Sequence, residues 1–154
     1  MTQKRSAGLL LFRHTADGTE VLLGHMGGPY FAKKDAGAWT VPKGEYEPDE
    51  PAWDAARREF REELGLEPPD GEAIALGEVR QTNGKIVTVW AIEADLDPAT
   101  VEPGTFTMEW PPRSGRTREF PELDRVAWYG LPRARELIVP AQATFLDRLP
   151  EHSP

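Results

Sequence analysis

The chain of 154 residues contains no cysteine, which excludes disulfides, thiolate metal sites and a cysteine nucleophile. It has only three histidines, His14, His25 and His152, and they are spread along the chain, so no histidine-based metal site or triad can be argued. No apolar run approaches the roughly 20 residues of a membrane span. The apolar stretch of MTQKRSAGLLLFRH is too short for a signal-peptide core with its cleavage site, and the default expectation is a cytoplasmic protein without a membrane partner. Basic residues are also in deficit: 18 against 26 acidic ones leave a net charge of −8. That balance argues against nucleic-acid coating, which needs a basic face. A Walker A loop is absent, because Lys43-Gly44 has the reversed order and no following Ser or Thr.

What is present points to one domain over residues 1–154, long enough to bury a core unaided. Ala7 to Arg13 and Glu20 to Met26 are apolar runs of strand length joined at Asp17-Gly18, and they predict a hairpin. Gly27 to Ala38 is expected to be a loop on the active-site side, followed by a short strand at Trp39 to Val41. Glu72 to Gln81 and Lys85 to Asp95 predict a second hairpin, with Asn83-Gly84 favouring a type I′ turn. Residues from Leu96 to Glu122 carry five prolines and are expected to be irregular. A last strand at Arg125 to Tyr129 leads into a helix at Leu131 to Leu149, which Pro140 should break or kink. The expected architecture is α/β: a mixed β-sheet with a helix on each face, an α/β/α sandwich.

The most informative stretch is Gly44 to Leu66. Pro51 suits a first helical turn, Asp49 or Glu50 can cap it, and Gly65 closes it in the left-handed position. Trp53, Ala56, Phe60 and Leu64 make an apolar stripe that needs a core. Glu59, Glu62 and Glu63 then share one face of the helix. Side chains so placed are roughly 5–6 Å apart, so at an effective dielectric near 20 each like-charge pair costs about 3 kcal/mol. On a solvated helix laced with Arg57, Arg58 and Arg61 the cost falls to about 0.2–0.5 kcal/mol, and a plain surface helix is the bland alternative. On the wall of a cleft, the same oxygen cluster calls for a hard cation, magnesium (Mg2+) or manganese.

The spacing Gly, five residues, Glu, seven residues, Arg-Glu-apolar-any-Glu-Glu-any-Gly-apolar resembles the signature of the Nudix hydrolases. The chain matches it at Gly44, Glu50, Arg58, Glu59, Phe60, Glu62, Glu63, Gly65 and Leu66. The preceding Trp39-Thr40-Val41-Pro42-Lys43-Gly44 is similar, over a shorter stretch, to members acting on diadenosine or diphosphoinositol polyphosphates. The resemblance implies the Nudix α/β/α fold and metal-dependent cleavage of a diphosphate linked to another group. It implies Glu62 and Glu63 as metal ligands, Glu59 as a further ligand or the base, and the backbone carbonyl of Lys43 as a neutral ligand. Arg58 would orient the carboxylates, with Glu50 in the same network. Many members add one Glu from a later loop; Glu122 fits that place best, with Glu119 and Glu109 as rivals. Substrate phosphates are expected to meet Lys43, Arg13, Lys33, Arg113 and Arg116, with Lys34, Arg80 and Arg118 also in reach, because arginine forks match phosphate oxygens. For a base ring, Tyr30, Phe31, Phe106 and Trp110 could stack, whereas Trp90 reads as core. The expected partner is a small nucleotide or polyphosphate, bound by a monomer or homodimer. The competing function is a non-catalytic nucleotide-binding module of the same fold, which would predict loss of at least one acid.

Overall fold

A computed structural model describes residues 4–150. Strands β1 (Arg5–Thr15) and β2 (Gly18–Met26) form the first hairpin, closed by Thr15 opposite Gly18. They pair antiparallel only over Phe12–Thr15 and Gly18–Val21. Beyond that they part. The gap is filled by β3 (Trp39–Thr40), paired with β2, and by β4 (Lys43–Glu45), paired with β1 at Ser6–Gly8. Close approach there depends on Gly8, where a Cβ would collide with the Pro42 carbonyl.

On its other side β1 runs parallel to β6 (Ile86–Glu93), which pairs with β5 (Ala73–Arg80), while β9 (Leu123–Gly130) pairs with β2. The result is a mixed seven-stranded sheet. Alternation along β1 sorts the two faces, as a period of two requires. Ala7, Leu9 and Leu11 pack under helix α1 (Ala52–Leu64) with Ala55, Ala56, Phe60 and Leu64. Leu10 and Phe12 face the opposite layer, formed by α2 (Leu131–Leu137) and α3 (Ala143–Asp147) through Leu137, Phe145 and Leu146. Helices cover both faces, as expected. Half-buried Trp90 packs edge-on to Trp53 at 5.3 Å beside the α1 layer.

Four local expectations need correction. Pro51 is the N-cap residue of α1 rather than part of its first turn, and no side chain caps it, because Glu50 is drawn to Arg58 instead. The turn between β5 and β6 is not type I′: only Gly84 takes a positive φ of 85°, and its N–H bonds Gln81 O at 2.9 Å, the pattern of a type I turn with a left-handed glycine after it. The segment expected to be irregular contains a second, two-stranded sheet, β7 (Thr105–Glu109) with β8 (Thr117–Pro121), so the prolines border strands rather than preclude them. The C-terminal helix does not span Leu131 to Leu149: α2 already ends at Leu137 and α3 at Asp147, with a 3-10 turn at Pro140–Gln142 between them, so Pro140 breaks the helix, one of the two outcomes expected of it.

His25 is fully buried between β9 and the 27–38 loop, with Nδ1 2.7 Å from Asp124 Oδ1 and Nε2 2.6 Å from Lys34 O. It anchors that loop to the sheet. His14 lies at the far end of β1 against Thr19, and His152 falls outside the described residues. No helix among the described residues is long and apolar enough to cross a membrane.

Candidate active site

Helix α1 presents its carboxylates unequally. Glu59 and Glu63, four residues apart, are each only 8% exposed, whereas Glu62 is turned toward solvent. Arg58 organises the group: its Nε and Nη2 fork onto the two carboxylate oxygens of Glu50 at 2.9 and 2.8 Å. Its Nη1 meets Glu59 Oε1 at 2.7 Å and the Glu62 carboxylate at 3.2–3.3 Å. Such bidentate, charge-assisted contacts raise the guanidinium pKa and lower that of Glu50.

The segment after β6 closes the site. Glu102 N–H donates to Leu64 O at 2.8 Å and Gly104 N–H to Glu62 O at 3.0 Å, satisfying carbonyls at the C-terminal end of α1. Glu122 N–H then bonds Gly104 O at 2.8 Å, and Glu122 O accepts from Gly27 at 3.0 Å. This stitching places Glu122 beside Glu59, Glu62 and Glu63 around a cavity of about 300 Å³ that also touches Thr105. Glu119 stands on β8, and Glu109 accepts the Arg113 N–H at 2.7 Å at the far end of β7; neither lines that space.

Burial and crowding raise the pKa of three of these acids. Burial, followed by the charges of Glu122 and Glu59, pushes the Glu63 pKa up to about 8. Burial also raises Glu59, against the hydrogen bond from Arg58, and raises Glu122 with help from Glu62. Glu63 Oε2 is buried with no hydrogen-bond partner. An orphaned carboxylate oxygen in an all-oxygen donor set suits a hard cation that supplies the missing positive charge. Among the described residues no three acidic or histidine side chains are yet drawn together at ligating spacing, so binding would gather the carboxylates inward.

Glu63 and Glu122 also form the wall of a larger cavity of about 430 Å³, faced by Lys43 of β4, Lys85 and Asn83 of the β5–β6 turn, and Gln142 of the C-terminal 3-10 turn. The Lys43 pKa is lowered, by burial first and by Lys85 second. Gln142 is fully buried; its Oε1 accepts from Val41 N–H at 3.0 Å and its Nε2 donates to Thr40 Oγ1 and Gln81 Oε1, each at 3.0 Å.

The other basic residues expected to meet phosphates stand elsewhere. Arg13, at the distal end of β1, is held by Glu20 at 2.8 Å and Asp95 at 2.6 Å and stacks on Trp128. Lys33 is exposed on the 27–38 loop, and Arg113 and Arg116 occupy the tip of the β7–β8 hairpin. Tyr30, 57% exposed, meets Trp110 edge-on at 5.5 Å near that tip. Sequence reasoning missed Lys85, Gln81 and Gln142. The polar run Gln81-Thr82-Asn83 in the turn and a glutamine interrupting the C-terminal apolar face were the available signals.

A family model described as NUDIX domain matches residues 2–149. The chain belongs to the Nudix family. CTP pyrophosphohydrolase of Escherichia coli (strain K12) is 43% identical over 56 residues; the matched segment spans 36% of this chain and 41% of that relative. Among solved structures, an Ap4A hydrolase binary complex from C. elegans aligns over 93% of each chain with a TM-score of 0.63 and 23% identity. The NUDIX domain of Shewanella oneidensis NrtR, crystallised with ADP ribose, aligns over 96% of this chain and 86% of its own with a TM-score of 0.61 and 14% identity. At these identities the two structures show that the Nudix fold is shared.

Proposed function

We propose that the protein is a metal-dependent hydrolase of phosphoric anhydrides in nucleoside diphosphate-linked compounds. The observation that carries this reading is Glu63: its carboxylate has a buried, unpartnered oxygen, it lines one cavity with Glu59, Glu62 and Glu122, and it lines a second with Lys43 and Lys85. Glu59, Glu62, Glu63 and Glu122, with the Lys43 carbonyl, are the proposed ligands of magnesium or manganese. When bound, the cation would neutralise phosphate charge and lower the pKa of attacking water.

The chain's own residues supply the rest. Arg58 fixes the carboxylates, the acid cluster takes up the proton lost by water, and the lysines hold the charge of the phosphate groups. Water oxygen bonds to phosphorus, the anhydride oxygen departs on the other phosphate, and each product keeps one side of the cleaved anhydride: two phosphate esters from a dinucleoside polyphosphate, a nucleotide and an inorganic phosphate species from a nucleoside triphosphate. No covalent protein intermediate is needed. The complete acid set supports an enzyme over a non-catalytic binding module. The similarity of Trp39 to Gly44 to polyphosphate-cleaving members, and the overall likeness to an Ap4A hydrolase, favour a dinucleoside polyphosphate or nucleoside triphosphate as substrate.

A screen of CTP and other nucleoside triphosphates, diadenosine tetraphosphate, ADP-ribose and a diphosphoinositol polyphosphate tests this, with products identified by mass. Turnover that requires magnesium or manganese and stops in chelator is the expected result. Full activity in excess chelator, or no turnover of any anhydride, would overturn it.

A further inference from the structure

The large cavity has two cationic side chains but ion-pairs only one of them. Among the described residues Lys43 has no carboxylate at ion-pair distance, and Lys85 reaches only Glu45 Oε1, at 3.4 Å. That same oxygen also has Lys4 at 3.9 Å, so Glu45 keeps a counter-charge if Lys85 swings away. Lys85 is 23% exposed and belongs to a turn pinned at both ends: Gln81 N–H donates to Lys85 O at 2.9 Å, and Lys85 N–H to Asn83 Oδ1 at 3.0 Å. The backbone is fixed while the ammonium is free to move on its four-carbon stem.

The two ammonium groups share one cavity and repel each other, a cost that Glu63, Glu45 and Glu59 offset only in part for Lys43 and that an anion between the lysines would reverse. The same cavity is lined by Glu63 and Glu122, the acids proposed to hold the cation. We propose that Lys85 is a substrate-binding residue that leaves Glu45 and joins Lys43 in clamping the phosphate next to the one attacked. This deepens, and rests on, the hydrolase reading. The clamp recognises phosphate charge alone, independent of the nucleoside.

The test is binding of inorganic tripolyphosphate to the full chain in excess chelator, by titration calorimetry, for wild type, Lys85→Ala and Lys85→Arg. Removing a single ammonium–phosphate hydrogen bond predicts roughly tenfold weaker binding for Lys85→Ala, largely restored by Lys85→Arg. In turnover, Lys85→Ala should raise KM by a similar factor while kcat stays within about twofold. Tripolyphosphate binding that Lys85→Ala leaves unchanged, binding that Lys85→Arg fails to restore, or a fall in kcat at constant KM would overturn the clamp. If wild type binds tripolyphosphate through Lys85 yet hydrolyses no anhydride, the hydrolase reading fails and the clamp stands as a polyphosphate site.

Discussion

Gly44 and Glu59 are packed so closely that a Cβ built at position 44 would fall inside the Glu59 carboxylate. The glycine on β4 thereby sets where the first acid of the helix can sit, and Arg58 Nη1 holds it there at 2.7 Å. Gly44→Ala should displace Glu59 and loosen the proposed cation site. A shift of about an ångström in a catalytic group costs on the order of a hundredfold in rate, so kcat/KM should fall by about that much while circular dichroism stays native. Activity near wild type would show that Glu59 can be moved without consequence.

In the proposed mechanism Glu63 links activity to pH. Its folded pKa is raised from an ordinary 4.5 to about 8, so between those values the folded protein holds a proton that the unfolded chain has released. Its contribution to the stability of the metal-free protein is therefore present below 4.5 and lost as pH rises through 8. Glu59 and Glu122, also raised, act with the same sign; Glu50, lowered by Arg58, acts oppositely and only as its own carboxyl protonates in acid. Metal competes with these protons, so the Tm gain from manganese should grow with pH over the same interval. Glu63→Gln should flatten the metal-free Tm profile and cut kcat by roughly a hundredfold or more, the scale of losing one electrostatic stabiliser. A mutant with an unchanged profile would place the proton on another acid.

In the proposed mechanism Arg58 is a positioning residue, and its planar fork is one that a lysine lacks. Arg58→Lys keeps the charge but loses the paired bonds to Glu50 at 2.9 and 2.8 Å. Loss of such support around metal ligands typically costs about 10–100-fold in metal affinity or activity. Manganese titration should therefore show weaker binding, with excess metal recovering part of the rate. Equal affinity would mean that the charge alone suffices.

The helix, its left-handed Gly65, both hairpins of the main sheet and the break at Pro140 were legible because each rests on local chemistry: a 3.6-residue stripe, a glycine, an alternation, a proline. The β7–β8 hairpin was obscured although Thr105–Glu109 alternates between half-buried and exposed residues, because five prolines nearby outweighed a five-residue pattern. The acidic wall was legible for its helical members, since i, i+4 spacing fixes a face. The opposite wall was not. Gln142 reaches Thr40 across 102 positions of sequence, and Lys85 enters the cavity only because β6 lies beside β1. Contacts at such separation leave no periodic trace.

Gly65 caps α1 at φ 69°, and a Cβ there would strike the Glu102 carbonyl. Gly65→Val combines a left-handed β-branched residue, about 1–2 kcal/mol, with overpacking of about 1–3 kcal/mol. For a protein of this size that lowers Tm by roughly 5–15 °C. Because Glu102 leads to Gly104 and Glu122, activity should fall further than the reduced stability explains. An unchanged Tm would place the closure of the helix elsewhere.

The hairpin arginines make a prediction about substrate length. Thr105 borders the acidic cavity, and β7 runs from it to Glu109 before the chain reaches Arg113 and Arg116. At about 3.3 Å per strand residue, the tip lies some 13 Å or more from the base of the hairpin. Only a long substrate chain spans that distance. Changing Arg113, Arg116 and Arg118 together to Ala should leave kcat/KM on ADP-ribose within about twofold, because its two phosphates stay near the carboxylates. On diadenosine tetraphosphate each guanidinium–phosphate hydrogen bond is worth about 1.5–3 kcal/mol gross, so a fall of roughly tenfold or more is expected there. Equal losses on both compounds would mean that the hairpin acts through folding, and no loss on either would leave phosphate recognition to the lysines of the cavity.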